Sequence, residues 1–259
     1  MSLNIFNQVY YVNLNRKCWY IGLILSNFFI YSQPKAAELI QWQSSNFQIL
    51  HGSDYVLSDP KATILTYEYT NQWSYGDFFM FIDATRFNDG EKTAYGEISP
   101  RFSLSKLSGK DYSFGPVKDI FISTTLEKGK ADIKTYLAGV GLAMDIKGFT
   151  FFNTDLYWRH NPDLDDDTWQ LTLAWQYPFN IGQTKWVTEG FADIAGDANS
   201  SYVSNQLIVP RLLLDISDLL NFKSDSLWLG IEYSSWTNKY GIDNIDEKVI
   251  QAQIKWIFY

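Results

Sequence analysis

The sequence predicts an all-β fold, a 12-stranded antiparallel transmembrane β-barrel of the outer-membrane type, behind an N-terminal signal peptide. Three observations point there. Aromatics make up 17% of the 259 residues, with 10 Trp and 17 Tyr, yet mean hydropathy is only -0.19. Such a chain carries too little continuous apolar sequence for membrane helices. It suits strands that show lipid one face and water the other. Second, the chain after residue 40 divides into twelve segments of about ten residues, separated by Gly, Asn, Asp and Pro clusters. Third, several of these segments alternate cleanly between apolar and polar residues.

The N-terminus reads as an address. Arg16-Lys17 precede an apolar run from Trp19 to Ile30, and Pro34-Lys35-Ala36-Ala37-Glu38 follows. A basic flank, a short apolar stretch and small residues at the end make a secretory signal peptide, with cleavage expected after Ala37. The run is too short, and too interrupted by Ser26 and Asn27, for a comfortable span. The expected organisation is therefore residues 1–37 as signal peptide and 38–259 as a single barrel domain.

Charge is divided along the same line. All 29 carboxylates lie after residue 37, against 18 of the 21 basic residues, so the remainder is near -11. This excludes nucleic acid as a partner, since phosphate binding needs a basic footprint. Cys18 is the only cysteine, and only His51 and His160 supply imidazole. No disulfide, no Cys/His metal site and no cofactor is expected.

The twelve segments centre near 41–51, 61–71, 75–86, 93–104, 116–127, 131–145, 148–161, 167–178, 184–195, 202–215, 225–238 and 247–259. An even count of strands this long matches a bacterial barrel, where about 9–11 tilted residues cross the bilayer. Leu212 to Leu220 is the one stretch that also reads as an amphipathic helix. In the last segment Ile250, Ala252, Ile254, Trp256 and Phe258 share a face opposite Gln251, Gln253 and Lys255. In the eighth, Trp169, Leu171, Leu173 and Trp175 oppose Gln170, Thr172 and Gln176. Trp at both ends of an apolar face fits the aromatic girdles of the two membrane interfaces, so Trp169 and Trp175 read as girdle residues. The terminal Lys255-Trp256-Ile257-Phe258-Tyr259 resembles the C-terminal signal read by the barrel-assembly machinery. Its apolar face is one residue out of step with Tyr259.

The polar faces are expected to line an aqueous lumen, because a charge on the lipid face costs kcal/mol. Asp77, Phe79, Phe81 and Asp83 share one parity; Glu189, Phe191 and Asp193 share another; Asp119, Phe121, Ser123 and Glu127 make a third. Glu68, Glu97 and Glu232 add acids, and Arg101, Arg159, Arg211 and Lys255 add bases. Such a wall has two readings. Aromatic faces for stacking, beside acids that accept from hydroxyls, would suit a nucleobase and its ribose. Equally, a narrow barrel can fill itself with aromatics and Arg–carboxylate pairs.

Catalysis is not expected. His51 stands in His-Gly-Ser-Asp and His160 in His-Asn-Pro-Asp, and neither has the strand-end Ser partner that acyl transfer requires. Asp163, Asp165, Asp166 and Asp167 read as a solvated acidic loop. They lack the glycine turn and closing Glu of a Ca²⁺ loop, so no metal is expected.

Residues 96–119 run Gly-Glu-Ile-Ser-Pro-Arg-Phe-Ser-Leu-Ser-Lys-Leu-Ser-Gly-Lys-Asp-Tyr-Ser-Phe-Gly-Pro-Val-Lys-Asp. The Pro100-Arg101-Phe102-Ser103 strand, followed by Ser113-Phe114-Gly115-Pro116, resembles the signature of the Tsx family of nucleoside-specific channels and its OmpK branch. Asp119 stands where that family has Glu. Leu65, Glu68, Asp77 and Asp83, with Phe79 and Phe81, are similar to its second and third strands. Gly139-Val140-Gly141, Tyr157, Pro178, Gly190 and Tyr240-Gly241-Ile242 extend the resemblance in patches over 42–259. It implies a monomeric 12-stranded barrel in the bacterial outer membrane, passing nucleosides by facilitated diffusion. The implied substrate-binding lumen residues are Glu68, Asp77, Phe79, Phe81, Asp83, Glu97, Arg101, Asp119, Phe121, Arg159, Glu189, Phe191 and Asp193. Nucleotides should be disfavoured by the acidic wall. Other implied partners are nucleosides or other small solutes, outer-membrane lipid and lipopolysaccharide, the barrel-assembly machinery, and phage at the outer loops. The alternative is a general small-solute porin, or a plugged structural or phage-receptor barrel without nucleoside specificity.

Overall fold

A computed structural model describes residues 39–129, 134–162, 164, 166–198 and 202–258. The expected signal peptide, Asp163, Asp165 and Tyr259 lie outside the described residues. Twelve strands follow in order: β1 Ile40–Ser53, β2 Lys61–Trp73, β3 Gly76–Phe87, β4 Lys92–Ser103, β5 Val117–Lys128, β6 Lys134–Met144, β7 Phe151–His160, β8 Thr168–Ile181, β9 Thr184–Ala195, β10 Asn205–Asp215, β11 Leu227–Thr237 and β12 Glu247–Ile257. Each pairs antiparallel with its sequence neighbours, and β1 pairs β12 to close the barrel. Closure removes every sheet edge, which is what lets a sheet exist in lipid. At one end of the barrel lie the start of β1 and the finish of β12; this is called the terminal end below, and the opposite end the far end.

The burial pattern is the reverse of a water-soluble core. On β12, Gln251, Gln253 and Lys255 are 3%, 1% and 7% exposed, whereas Ile250, Ile254 and Trp256 are 63%, 46% and 44% exposed. Polar residues are inside and apolar ones outside, as period two demands of a wall between water and lipid. A small apolar cluster of Val187, Leu213 and Trp228, with Ile257 against it, fills the lumen side at the terminal end of β9–β12.

The strand boundaries follow the expected segments closely. The ambiguous Leu212–Leu220 stretch divides: β10 runs to Asp215, and a 3-10 turn covers Asp218–Leu220. The buried Ser217 hydroxyl causes the break. It donates to Asp215 at 2.5 Å and accepts from Ser226 N at 3.0 Å and Leu227 N at 2.9 Å, closing the β10–β11 connection. Register shifts occur only near strand ends, between Ile40 and Trp42 and between Val117 and Asp119. Along the central wall the alternation is therefore unbroken. Phe258 stacks on Phe47 of β1, ring centroids 5.3 Å apart, and its N–H reaches Ser45 O. The penultimate aromatic thus closes the β1–β12 seam.

The 96–119 stretch forms a clasp at the terminal end. Ser103 caps a one-turn helix, α1 (Leu104–Ser108), by accepting from Lys106 N at 2.9 Å, and Gly109 ends it at φ 70°. Ser103 also donates to Asp119. The same carboxylate accepts from Ser105 Oγ at 2.7 Å and Ile120 N at 2.8 Å. Lys106 bridges to Trp73 O at 2.7 Å. Four hydrogen-bond acceptor or donor groups on two serines and one aspartate thereby fix how β4 turns into β5.

Candidate functional site: the lumen wall

The face of each strand is settled by contacts that pass over intervening strands. Arg211 on β10 reaches Glu68 on β2 at 3.1 Å, and Lys255 on β12 reaches Glu189 on β9 at 2.6 Å. Arg101 on β4 reaches Asp155 on β7 at 3.4 Å, and Arg159 on β7 reaches Glu127 on β5 at 2.7 Å. Only the interior allows such contacts. Period two then puts the thirteen expected lumen residues on the inward parity of their strands.

The wall organises into three networks. In the first, Arg211 contacts Glu232 at 2.6 Å, Glu68 at 3.1 Å and Glu189 at 3.6 Å. Lys255 adds Glu189 at 2.6 Å and Glu68 at 3.8 Å. Amides finish the solvation: Asn46 donates to Glu68 at 3.1 Å, and Gln251 to Glu232 at 2.7 Å. In the second, Arg101 lies 4.2 Å above the Phe121 ring, with Asp77 and Asp155 each at 3.4 Å. Its Nε and Nη2 make no hydrogen bond among the described residues, so charge and the ring face hold it more than directed bonds do. Ser123 donates to Asp155 at 2.5 Å. In the third, Arg159 forks onto Glu127 at 2.7 and 2.9 Å and donates to Gln170 at 2.6 Å. Thr172 donates to Asp193 at 2.6 Å, and Tyr95 to Glu97 at 2.7 Å.

The second network depends on a glycine. A Cβ on Gly141 would lie 2.1 Å from Asp155 Oδ1 and 2.3 Å from Ser123 Oγ. Only a residue without one leaves room for that hydrogen bond.

Two properties of the wall bear on transport. First, its contacts run as chords. Among the described residues the longest, Arg211 to Glu68, spans four strands of twelve, and none joins strands on opposite sides. Second, the three networks together with Asp83 hold nine carboxylates (Glu68, Asp77, Asp83, Glu97, Glu127, Asp155, Glu189, Asp193, Glu232) against four cations (Arg101, Arg159, Arg211, Lys255). The excess is concentrated on β3–β5 and β9. Among the described residues Asp83 accepts only from Thr66, at 2.6 Å, and Glu97 only from Tyr95.

The expected residues differ in what remains free. Phe79 and Phe81 form a strip with Tyr95, centroids 6.0 and 5.8 Å apart, and Phe79 keeps 37% of its surface open. Phe121 is 7% exposed, its face taken by Arg101. Glu68, Glu189, Arg101 and Arg159 are engaged in the networks, and Asp119 is engaged in the terminal clasp. Phe191 is partly exposed between Ala174 and Val209. Sequence reasoning passed over Asp155 and Tyr95. Asp155 shares parity with Tyr157 and Arg159, and Tyr95 with Glu97, so strand parity alone could have found both.

At the far end, the β1–β2 loop leans over the wall. Tyr55 donates to Gln251 Oε1 at 2.6 Å and packs edge-on against Phe87, and Val56 N donates to Glu247 at 2.8 Å. Burial, and then the Glu232, Glu247 and Asp83 carboxylates, push the Tyr55 phenol well up from its ordinary value. It stays a neutral donor.

An inverted barrel with an acidic, aromatic-lined lumen is the setting for the comparison with known proteins. Residues 37–259 match the family model described as nucleoside-specific channel-forming protein, Tsx. The chain belongs to the Tsx family. Relatives include outer membrane protein OmpK of Vibrio parahaemolyticus, 28% identical over 110 residues, covering 41% of this chain and 42% of that protein. The nucleoside-specific channel-forming protein Tsx of Klebsiella pneumoniae is 35% identical over 129 residues, covering 43% and 44%. These alignments span less than half of either relative. Among solved structures, a KdgM porin aligns with TM-score 0.50 at 9% identity, over 83% of this chain and 99% of that one. A NanC porin aligns with TM-score 0.51 at 11% identity, over 81% and 98%. At such identities the likeness is one of fold. Like its Tsx-family relatives, the chain is a bacterial outer-membrane β-barrel of a channel-forming family.

Proposed function

We propose that the barrel is a channel for facilitated diffusion of nucleosides and similar small neutral solutes. The observation that carries this reading is the Phe79–Phe81–Tyr95 strip, which leaves an open ring face on the lumen side, flanked by Asp77, Asp83 and Glu97. A heterocycle can stack on the open ring, and ribose hydroxyls can donate to the carboxylates. The family's name and the Klebsiella relative's supply the same solute class. Wall contacts that run as chords support a path left along the axis. The carboxylate excess supports a preference for neutral over phosphorylated solutes, since an entering phosphate would be repelled. Transport needs no energy coupling: each weak site recruits the solute and releases it to the next.

The test is single-channel conductance of the refolded barrel in a planar bilayer, with adenosine and then thymidine titrated in. A small conductance that falls saturably with nucleoside supports the reading. Conductance indifferent to nucleoside makes the protein a general porin, and silence makes it a plugged or receptor barrel.

A further inference from the structure

The outer surface is charged on one side only. Period two places Lys61 (β2), Arg86 (β3), Lys92 (β4), Lys128 (β5), Lys134 (β6) and Lys248 (β12) on the lipid-side parity, each within two residues of its strand's far end. All six are exposed. Five of these strands, β2 to β6, are consecutive in the wall, and Arg86 pairs with Lys92 and Lys128 with Lys134 in register. The outward faces of β7 to β11 carry no Lys or Arg at all; their far rim presents Trp158 and Trp169 instead.

Five of the six rim cations have no acidic partner among the described residues. Among the described residues, no carboxylate lies within ion-pair distance of Lys61, Arg86, Lys92, Lys134 or Lys248. Two carboxylates in the adjoining loops are turned to the backbone: Asp59 accepts from Lys61 N and Asp89 from Glu91 N, both at 2.9 Å. At the terminal end the pattern is different. There Lys118 pairs with Asp145 at 3.3 Å and Lys185 with Asp225 at 2.9 Å. Directly below the basic rim the same strands expose Leu65, Ile82, Ile98, Leu126 and Val140 to lipid. A cationic row above an apolar face matches an amphiphile with an anionic headgroup. Strands about 4.8 Å apart spread the row over roughly 20 Å, wider than a single phosphate uses. That width points to a headgroup with more than one phosphate.

We propose that the far rim of β2–β6 is a docking surface for lipopolysaccharide, with Arg86, Lys92 and Lys134 holding the phosphates of its lipid A. This sets the far end of the barrel outward and gives the molecule an annular lipid on one side. It does not depend on what crosses the lumen.

The test is lipid binding to the full barrel in detergent, by native mass spectrometry, with diphosphoryl lipid A, monophosphoryl lipid A and phosphatidylglycerol as probes. The wild type should bind diphosphoryl lipid A most tightly, and less at high salt. The combined variant Arg86→Gln, Lys92→Gln, Lys134→Gln should lose at least tenfold, while Lys118→Gln with Lys185→Gln should leave binding unchanged. Equal binding by the rim variant and wild type overturns the proposal. So does rim-dependent binding of phosphatidylglycerol as strong as that of lipid A, which makes the rim a phospholipid contact. If the triple variant does not fold, as judged by heat-modifiable gel mobility, Lys92→Gln alone should weaken lipid A binding measurably, and no change overturns the idea.

Discussion

Replacing Arg211 by Met removes the guanidinium at the centre of the first network. Three carboxylates then lose a partner at 2.6, 3.1 and 3.6 Å, and among the described residues Lys255 is the one cation left beside Glu68 and Glu189. Breaking a buried ion pair from one side costs about 3–5 kcal/mol, because a charge is left without its counterion. The Arg211 side chain keeps 15% of its surface exposed, so the lower end applies, about 3 kcal/mol. That is more than a hundredfold in the unfolding equilibrium. Urea unfolding in lipid vesicles, followed by Trp fluorescence, measures it. Charge accounts for the loss only if removing the stranded partners restores stability, so Arg211→Met combined with Glu232→Gln should recover about half of it. In bilayers, the single variant should also shift reversal potentials towards cation preference, since the lumen loses one of four central cations. A single variant within about 0.5 kcal/mol of wild type, or a double variant no more stable than the single, refutes the assignment of this network as a mutually dependent charge cluster.

Three further outcomes are expected. Gly141→Ala drives a methyl into the Ser123–Asp155 bond; losing a hydrogen bond to a charged group costs about 1.5–3 kcal/mol, read as a lower urea midpoint, and an unchanged midpoint means the strand shifts instead. Phe79→Ala removes the open stacking face and should weaken nucleoside block about 5- to 12-fold, the equivalent of about 1–1.5 kcal/mol, without altering the fold; block unchanged in both Phe79→Ala and Phe81→Ala would end the stacking idea. Tyr55 binds its proton longer in the folded barrel than in the unfolded chain, so its contribution to stability is complete below about pH 10 and falls as pH rises above that. Titration at 295 nm should show Tyr55→Phe losing one phenol from the late-ionising fraction; loss from the early fraction contradicts the buried placement.

Much of this architecture was legible in one dimension because a barrel between lipid and water writes period two into nearly every strand. Ile250 to Phe258 against Gln251 to Lys255 defines both faces of β12 with no help from tertiary structure, and the turn clusters between segments set the count of twelve. The thirteen lumen residues could be named for the same reason: parity is local. Partnership is not. Nothing in the sequence says that Arg101 covers Phe121 and leaves Phe79 open, since β4, β5 and β3 can bring these rings together in several registers. Asp119 reads like any inward acid until the β4–β5 clasp shows it capped by Ser103 and Ser105. The Leu212–Leu220 stretch satisfies both helix and strand patterns, and only the buried Ser217 hydroxyl, made buried by the return of β11, decides where the strand ends. The one-sided basic rim needs the order of strands around the barrel, which places Lys61, Arg86, Lys92, Lys128 and Lys134 on five neighbouring strands and leaves the outward faces of β7–β11 without Lys or Arg. What one strand must do against lipid and water is set by its own residues; which charge meets which across the lumen is set by closure, because it depends on the stagger of all twelve strands at once.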